Sequence, residues 1–492
     1  MTAETAYRDV DRNHRVVTPP TKYSLRPVEE RASDFAEALA YTAGYTAETA
    51  VIEAARCLQC PEPQACLLNC PAGNDIPEAL WLTSQRDFVG AAKVFAATSP
   101  LPEVCGRACP NLCQQGCVLG NTFGAISIGK LEAFVSDIAR EAGELAIKVP
   151  EQKTGKKVAI VGSGPAGITV AEDLITKGHA VTMYEAWPEA GGVLVYGIPS
   201  FKINKEVVAY KIKDLEDAGV KIITNTRIGE KITIDDLLEE NDAVFLGTGA
   251  GIAATMDIPG EDLKGIYPST DFLVRANVPE EKLPPEKRGK PQIGKLVAII
   301  GGGDTAVDCA RSSIRMGAEA ATIVYRRTEA EMPGNAVERG VSVDEGVKIN
   351  YLQAPVEYIG DEDGRVKAMK VIKMELGEPD ASGRRRPIPI EGSEFIQKVD
   401  AVALAVGYWP DPFLGKKTEN LSTHKWGLIY ADEASGATTR EGVFAAGDNV
   451  HGPDLIITAI ATAHAAADSM HKYITGEEHI NPIAPPPPRK RR

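Results

Sequence analysis

Long apolar runs are absent. Nowhere do apolar residues continue for the roughly 20 positions that a membrane-spanning helix needs. The polar N-terminus also lacks the pattern of a secretory signal. The expectation is a soluble, cytoplasmic protein with no membrane partner. Positive charge is in short supply: 54 Lys and Arg against 68 Asp and Glu leave a net charge of −14. That argues against nucleic acid as a partner. Cysteine is missing from most of the chain. Of nine cysteines, Cys309 stands alone and the others fall between residues 57 and 117. An unpaired cysteine ordinarily serves as buried packing, so the chain beyond residue 117 offers no dithiol.

At 492 residues the chain is long enough for about three domains. It is organised around residues 157–185. A short apolar strand, 158–161, leads into Gly162, Gly164 and Gly167, spaced G-x-G-x-x-G at the start of a helix. The first glycine permits the turn, the second lets backbone approach a pyrophosphate, and the third lets helix and strand pack closely. The phosphate would sit on the helix N-terminus, where free N–H groups favour an anion. The next strand ends on Glu185, where an acid binds ribose hydroxyls. A glycine-rich loop, residues 191–202, is placed to lie over a flavin ring. Residues 242–249 read as a further strand ending in glycine. Candidate binders at this first site are Gly162, Gly164, Pro165, Ala166, Gly167 and Glu185, with Gly192, Leu194, Lys202, Thr248 and Gly249 from the later segments.

A second fingerprint begins at Leu296, where Gly301, Gly303 and Ala306 form G-x-G-x-x-A after another strand. Gly302, Gly303, Asp304 and Thr305 would cradle its phosphates. Where the first site carries Glu185, this one carries Arg326 and Arg327. An acid would repel a 2′-phosphate and guanidiniums would pair with it, which favours NADP(H) over NAD(H). Residues 400–407 (DAVALAVG) echo 242–249 (DAVFLGTG), as if one nucleotide domain were inserted in another. A strand at 443–446 then leads to Gly447 and Asp448, the latter a candidate hydrogen-bond partner for a flavin ribityl chain. A helix from about Leu455 would aim its N-terminus at the isoalloxazine ring and stabilise negative charge there.

The cysteines form two groups. Cys57, Cys60, Cys66 and Cys70, followed by Pro71, are similar to the ferredoxin run C-x2-C-x2-C-x3-C-P with a longer middle gap. Cys105, Cys109, Cys113 and Cys117 form the second. Clustered cysteines in a chain without a secretion signal read as metal ligands. Zinc is the alternative to iron–sulfur, since C-x2-C also opens zinc knuckles. Helices are expected at 48–56, at 77–97 as the scaffold between the groups, and at 128–143.

The expected fold is α/β: an N-terminal helical iron–sulfur domain followed by two Rossmann-like nucleotide-binding domains, the second inserted in the first. Its parts are residues 1–150 (clusters), 151–270 and 396–478 (FAD), 271–395 (NADP(H)) and a disordered tail, 479–492, ending in PPPPRKRR.

On RCLQC, LPEVCGRACP, AISIGKLEAF, VAIVGSGPAG, YGIPSFK, GGGDTAVDCAR, YRRTEAEMP and VFAAGD, residues 46–473 resemble the small subunit of bacterial glutamate synthase and its relatives. Those relatives are the large subunit of the electron-bifurcating NADH-dependent ferredoxin:NADP oxidoreductase and the N-terminal half of dihydropyrimidine dehydrogenase. The resemblance implies two [4Fe-4S] clusters with crossed ligation. Cys57, Cys60, Cys66 and Cys117 would hold one. Cys70, Cys109 and Cys113 would hold the other, completed by Glu132, while Cys105 matches a position that is not a ligand and stays the other candidate.

With no dithiol beside the flavin, the clusters are the only other carriers in the chain. The expected course is NADPH to FAD to the clusters to a larger partner subunit, with no acid or base catalyst named because the cofactors carry the chemistry. The large subunit of glutamate synthase is the expected partner. The alternatives are the bifurcating transhydrogenase and a stand-alone NAD(P)H oxidoreductase acting on a quinone or dye.

Overall fold

The computed structural model describes residues 18–380 and 383–485. Its N-terminal part is helical, built on Ala47–Ala54, Ile76–Ser84, Phe88–Ala96, Pro102–Ala108 and Ile128–Glu141. Thr46 starts the first of these with a capping box shared with Thr49, which satisfies two otherwise orphaned amides. The single helix expected over 77–97 is two helices. Arg86 takes a left-handed φ of 67°, and the Asp87 carboxylate caps the Gly90 amide at 2.8 Å, so the chain turns between two apolar segments of the same period. Ile128–Glu141 is buried on most of its circumference. A Cβ built on Gly106 would lie 2.4 Å from the Ala133 nitrogen, so Pro102–Ala108 packs backbone to backbone against it.

Two five-stranded parallel sheets follow, and their strand orders are equivalent. The first runs Val443–Ala445, Ala243–Leu246, Lys157–Val161, Ala180–Tyr184, Lys221–Ile223. The second runs Ile266–Pro268, Ala401–Leu404, Leu296–Ile300, Ala320–Tyr325, Lys348–Tyr351. In both, the fingerprint strand is central. Its two faces are closed by apolar residues, as buried parallel strands require. One correction follows for residues 400–407. They do not return to the first domain, because Ala401–Leu404 pairs with Leu296–Ile300 in the second sheet, and Ile266–Pro268 joins it there. The echo between the two DAV segments is the echo of equivalent strands: Ala243–Leu246 flanks the first fingerprint strand as Ala401–Leu404 flanks the second. The sheets thus place residues 266–268 and 401–404, outside the expected limits of 271 and 395, in the second domain.

An antiparallel sheet, Gln353–Gly360, Val366–Pro379, Arg385–Pro389 and Phe395–Lys398, covers one face of the second parallel sheet through Tyr358, Met369 and Val371. The two nucleotide domains are joined by an antiparallel pair of two-residue strands, Ile252–Ala253 and Tyr408–Trp409. The tail expected to be free from residue 479 is docked in its first part: Ile480 packs on the core and the Ile483 amide bonds the Thr438 carbonyl at 3.0 Å. Residues 486–492, with the basic end, lie outside the described residues. No helix among the described residues is long and apolar enough to cross a membrane.

One buried ion cluster stands out in the second domain. Glu345 has a side chain 0% exposed and accepts from Arg311 at 2.9 Å and Arg315 at 2.8 Å. Burial works to raise its pKa, but the two guanidiniums win and hold it down at about 2. Removing one partner of such a cluster leaves charge buried without compensation, at about 3–5 kcal/mol. Glu345→Gln is therefore expected to lower the thermal unfolding midpoint by several degrees; an unchanged midpoint would show that the arginines find other partners.

Candidate redox site: two nucleotide turns and two thiol pockets

At the first turn the chain leaves Lys157–Val161 through Gly162 at φ +101°, where a Cβ would sit 2.4 Å from the Gly247 carbonyl oxygen. Gly164 precedes the helix Pro165–Thr176 and its Cα faces open space, leaving room for a phosphate at the helix N-terminus. Gly192 folds over this turn so tightly that a Cβ would lie 2.8 Å from the Gly164 Cα. Glu185 is buried. Its carboxylate accepts from the Ser163 hydroxyl, from the Ser163 amide at 3.3 Å and from the Trp187 amide at 2.8 Å. Burial raises its pKa, and the three donors fix its orientation. Thr248 is exposed just past Ala243–Leu246, beside Gly249 at φ +65°. Leu194 is fully buried in the core, so it offers backbone alone. Asp448 follows Gly447, and burial pushes its carboxyl up to about 7. The helix Ile456–Thr475 starts one residue past Leu455.

The second turn repeats the first. Gly301 at φ +137° meets the Ala405 carbonyl oxygen, 2.1 Å from a built Cβ, and Gly303 faces open space before the helix Asp304–Arg315. Gly302 lies against the Tyr325 ring. The Asp304 carboxylate accepts from the Asn335 amide at 2.9 Å, and Thr305 follows it in the first turn of the helix. The two arginines diverge. Arg327 is buried and engaged, donating to Asp380 at 2.9 Å and to the Arg385 carbonyl at 2.7 Å. Arg326 is exposed at the strand end. Desolvation of part of its side chain, with the charges of Arg327 and Arg384, depresses its pKa, so an anion there relieves repulsion. Lys202 does not face a nucleotide turn freely. Its ammonium pairs with Asp308 on the second fingerprint helix at 3.1 Å, with both side chains less than a tenth exposed. Nothing in the sequence period marked Asp308, because its partner lies in the other domain.

The cysteines sort into two adjacent pockets. Cys57, Cys60, Cys66 and Cys117 line one. Cys70, Cys105, Cys109, Cys113 and Glu132 line the other. Ile128, fully buried, lines both. Ile457, near the N-terminus of Ile456–Thr475, lines the second. Burial pushes the Cys66 thiol up to about 12 and Cys109 up to about 11, so thiolates form there only with a cation to bind them. Among the described residues no three Cys, His or acidic side chains are arranged for a single metal ion, whereas each set of thiols borders a shared space. Cys309 is fully buried away from both pockets, in the core of the second sheet.

Glu132 and Cys105 differ in how they meet the second pocket. Glu132 Oε1 is buried with no hydrogen-bond partner, and burial, with Glu103 adding to it, pushes the carboxyl up to about 8. An orphaned buried oxygen is costly unless something occupies it. The Cys105 sulfur already lies 3.7 Å from the Ser99 hydroxyl. Glu132→Ala is expected to lower iron content or change the EPR of one centre, with Cys105→Ser silent. The reverse outcome assigns the ligand to Cys105.

Residues 156–463 match the model of the pyridine nucleotide-disulphide oxidoreductase family, and residues 31–144 match dihydropyrimidine dehydrogenase domain II, 4Fe-4S cluster. The chain is 38% identical over 466 residues to the glutamate synthase [NADPH] small chain of Escherichia coli, covering 93% of this chain and 97% of that one. It is also 38% identical over 442 residues to the putative oxidoreductase AegA of the same organism, covering 87% of this chain but only 66% of that longer protein. Among solved structures, Mycobacterium tuberculosis FprA in complex with NADPH superposes with a TM-score of 0.55 at 22% identity, over 66% of this chain and 85% of that one, a likeness of fold. Two nucleotide turns, two thiol pockets and near-complete coverage at this identity place the chain in the glutamate synthase small-chain family of NADPH-dependent iron–sulfur flavoprotein oxidoreductases.

Proposed function

We propose that this protein is the electron-input subunit of a larger enzyme, taking electrons from NADPH and delivering them through FAD and two [4Fe-4S] clusters to the large subunit of glutamate synthase. One observation carries the reading. The helix that starts beside the flavin site contributes Ile457 to the second thiol pocket, and Ile128 is shared between that pocket and the first. That adjacency supports a short path from a flavin through the second pocket to the first, and no cysteine pair lies in either nucleotide domain. A bound FAD would supply the exchange between two-electron hydride chemistry and the one-electron chemistry of the clusters.

The protein's own residues hold and orient. Cys57, Cys60, Cys66 and Cys117 would hold the outer cluster; Cys70, Cys109, Cys113 and Glu132 would hold the inner one. Glu185 would fix the FAD ribose. The positive end of the helix Ile456–Thr475 would favour negative charge on the flavin. Arg326 is the guanidinium free to meet the 2′-phosphate, while Arg327 holds the turn that carries it.

The purified protein is expected to carry about one FAD and, with both centres cubane, about eight iron atoms and as much acid-labile sulfide. Zinc without labile sulfide would overturn the cluster assignment. Arg326→Ala should weaken NADPH about tenfold or more and leave NADH nearly unchanged, since a charge-assisted hydrogen bond is worth about 1.5–3 kcal/mol. Equal losses for both nucleotides would remove Arg326 from phosphate recognition. Mixed with the glutamate synthase large subunit of its own organism, the protein should support NADPH-dependent glutamate formation. Electron delivery to ferredoxin, with no glutamate formed, would favour the transhydrogenase instead.

A further inference from the structure

The N-terminal segment, residues 25–45, touches all three parts of the molecule through separate contacts. Leu25 and Leu39 bridge its two limbs, and Tyr45 and Ala43 enter the helical-domain core. Glu37 accepts from Arg107 of that domain at 2.6 Å. The Ala38 amide bonds the Phe201 carbonyl of the flavin-side loop at 2.9 Å, and Phe35 lies against the Phe201 ring, 6.5 Å between centroids. Arg31, its side chain 5% exposed, reaches Glu345 of the nucleotide domain at 3.2 Å, and Arg315 donates back to the Arg31 carbonyl.

These contacts converge on one helix. Asp308, Arg311 and Arg315 lie on a single face of Asp304–Arg315, spaced three and four apart. Asp308 takes Lys202, and Arg311 and Arg315 lie over the Phe201 ring at 4.5 and 4.0 Å while binding Glu345. The same helix begins at the second nucleotide turn. Its length, about 18 Å, carries any displacement at the Arg315 end to the phosphate end. Against this stands a covalent connection of only two short strands, Ile252–Ala253 and Tyr408–Trp409, which by itself would permit the domain to swing.

We propose that residues 25–45 form a clasp that fixes the nucleotide domain against the flavin-side loop, with Arg31 as its positioning residue, so that nicotinamide meets flavin without a domain rotation. The segment belongs to neither nucleotide domain, yet it makes both sides of the joint one rigid surface. Arg31 lines neither thiol pocket; it acts through Glu345 and the helix Asp304–Arg315. The kinetic consequence rests on the NADPH-to-FAD reading above, and the mechanical consequence does not.

The test compares Arg31→Met, Arg31→Lys and Phe35→Ala with the wild-type holoprotein. Hydrogen exchange of the amides of residues 252–253 and 408–409 should speed about tenfold in Arg31→Met as the joint opens locally. The kcat for NADPH-driven reduction of a one-electron dye should fall about tenfold to a hundredfold, the cost of misplacing reactants by an ångström. Affinity for NADP+, measured by direct binding, should stay at the wild-type value, because the turn moves with its helix as one body and keeps its own geometry. Arg31→Lys should recover much of both changes. Phe35→Ala leaves the ion cluster whole and should shift both readouts the same way by less; it decides the matter if Arg31→Met loses its FAD or iron. Wild-type exchange with wild-type kcat overturns the proposal, as does faster exchange at unchanged kcat or a lower kcat at unchanged exchange. A wild-type protein that NADPH cannot reduce would sink the NADPH reading instead, while the exchange measurement still reports on the clasp.

Discussion

The iron–sulfur layer depends on how near two helices come. Gly106 lets Pro102–Ala108 approach Ile128–Glu141 until only backbone separates them. At that distance Glu132 is buried beside Cys105 and Cys109, and Ile128 stands as the wall between two sets of thiols. Any side chain at residue 106 would push the helices apart, and the cost would fall on the pockets before it fell on the fold. The geometry of the two thiol pockets is therefore set by a residue that lines neither.

Much of this was legible in the chain itself. Glycines at 162 and 301 announce the two turns because each faces a carbonyl that forbids a Cβ, and the strands before them are short apolar runs. The sorting of cysteines into two sets came from likeness to a family, and the pockets follow the same division. Other features were opaque for physical reasons. Residues 400–407 have the pattern of a buried parallel strand, and that pattern does not say which sheet supplies its neighbours. The break at Arg86 and Asp87 lies inside a continuous helical period, so only the capping carboxylate reveals it. Nothing local distinguishes Arg327 from Arg326; Asp380, 53 residues away, claims Arg327. Lys202 and Asp308 likewise meet across a domain boundary that no local spacing encodes.

The two nucleotide domains share strand order and turn geometry yet carry different side chains at the end of the second strand. In one, an acid is locked by three donors; in the other, a guanidinium stands in the open. A site whose acid is immobilised in advance suits a cofactor that stays. A site whose charge is exposed suits a ligand that arrives and leaves with each turnover.

The helix Ile456–Thr475 has one further consequence. Its first turn packs beside Gly447 and lines the second thiol pocket through Ile457, so groups held at either place would lie near the same partial positive charge. That field would favour negative charge on a flavin and on a cluster held there, and so would raise the reduction potential of each. One helix start would then bear on how readily both groups accept electrons, and a charge placed in its first turn would be felt at both.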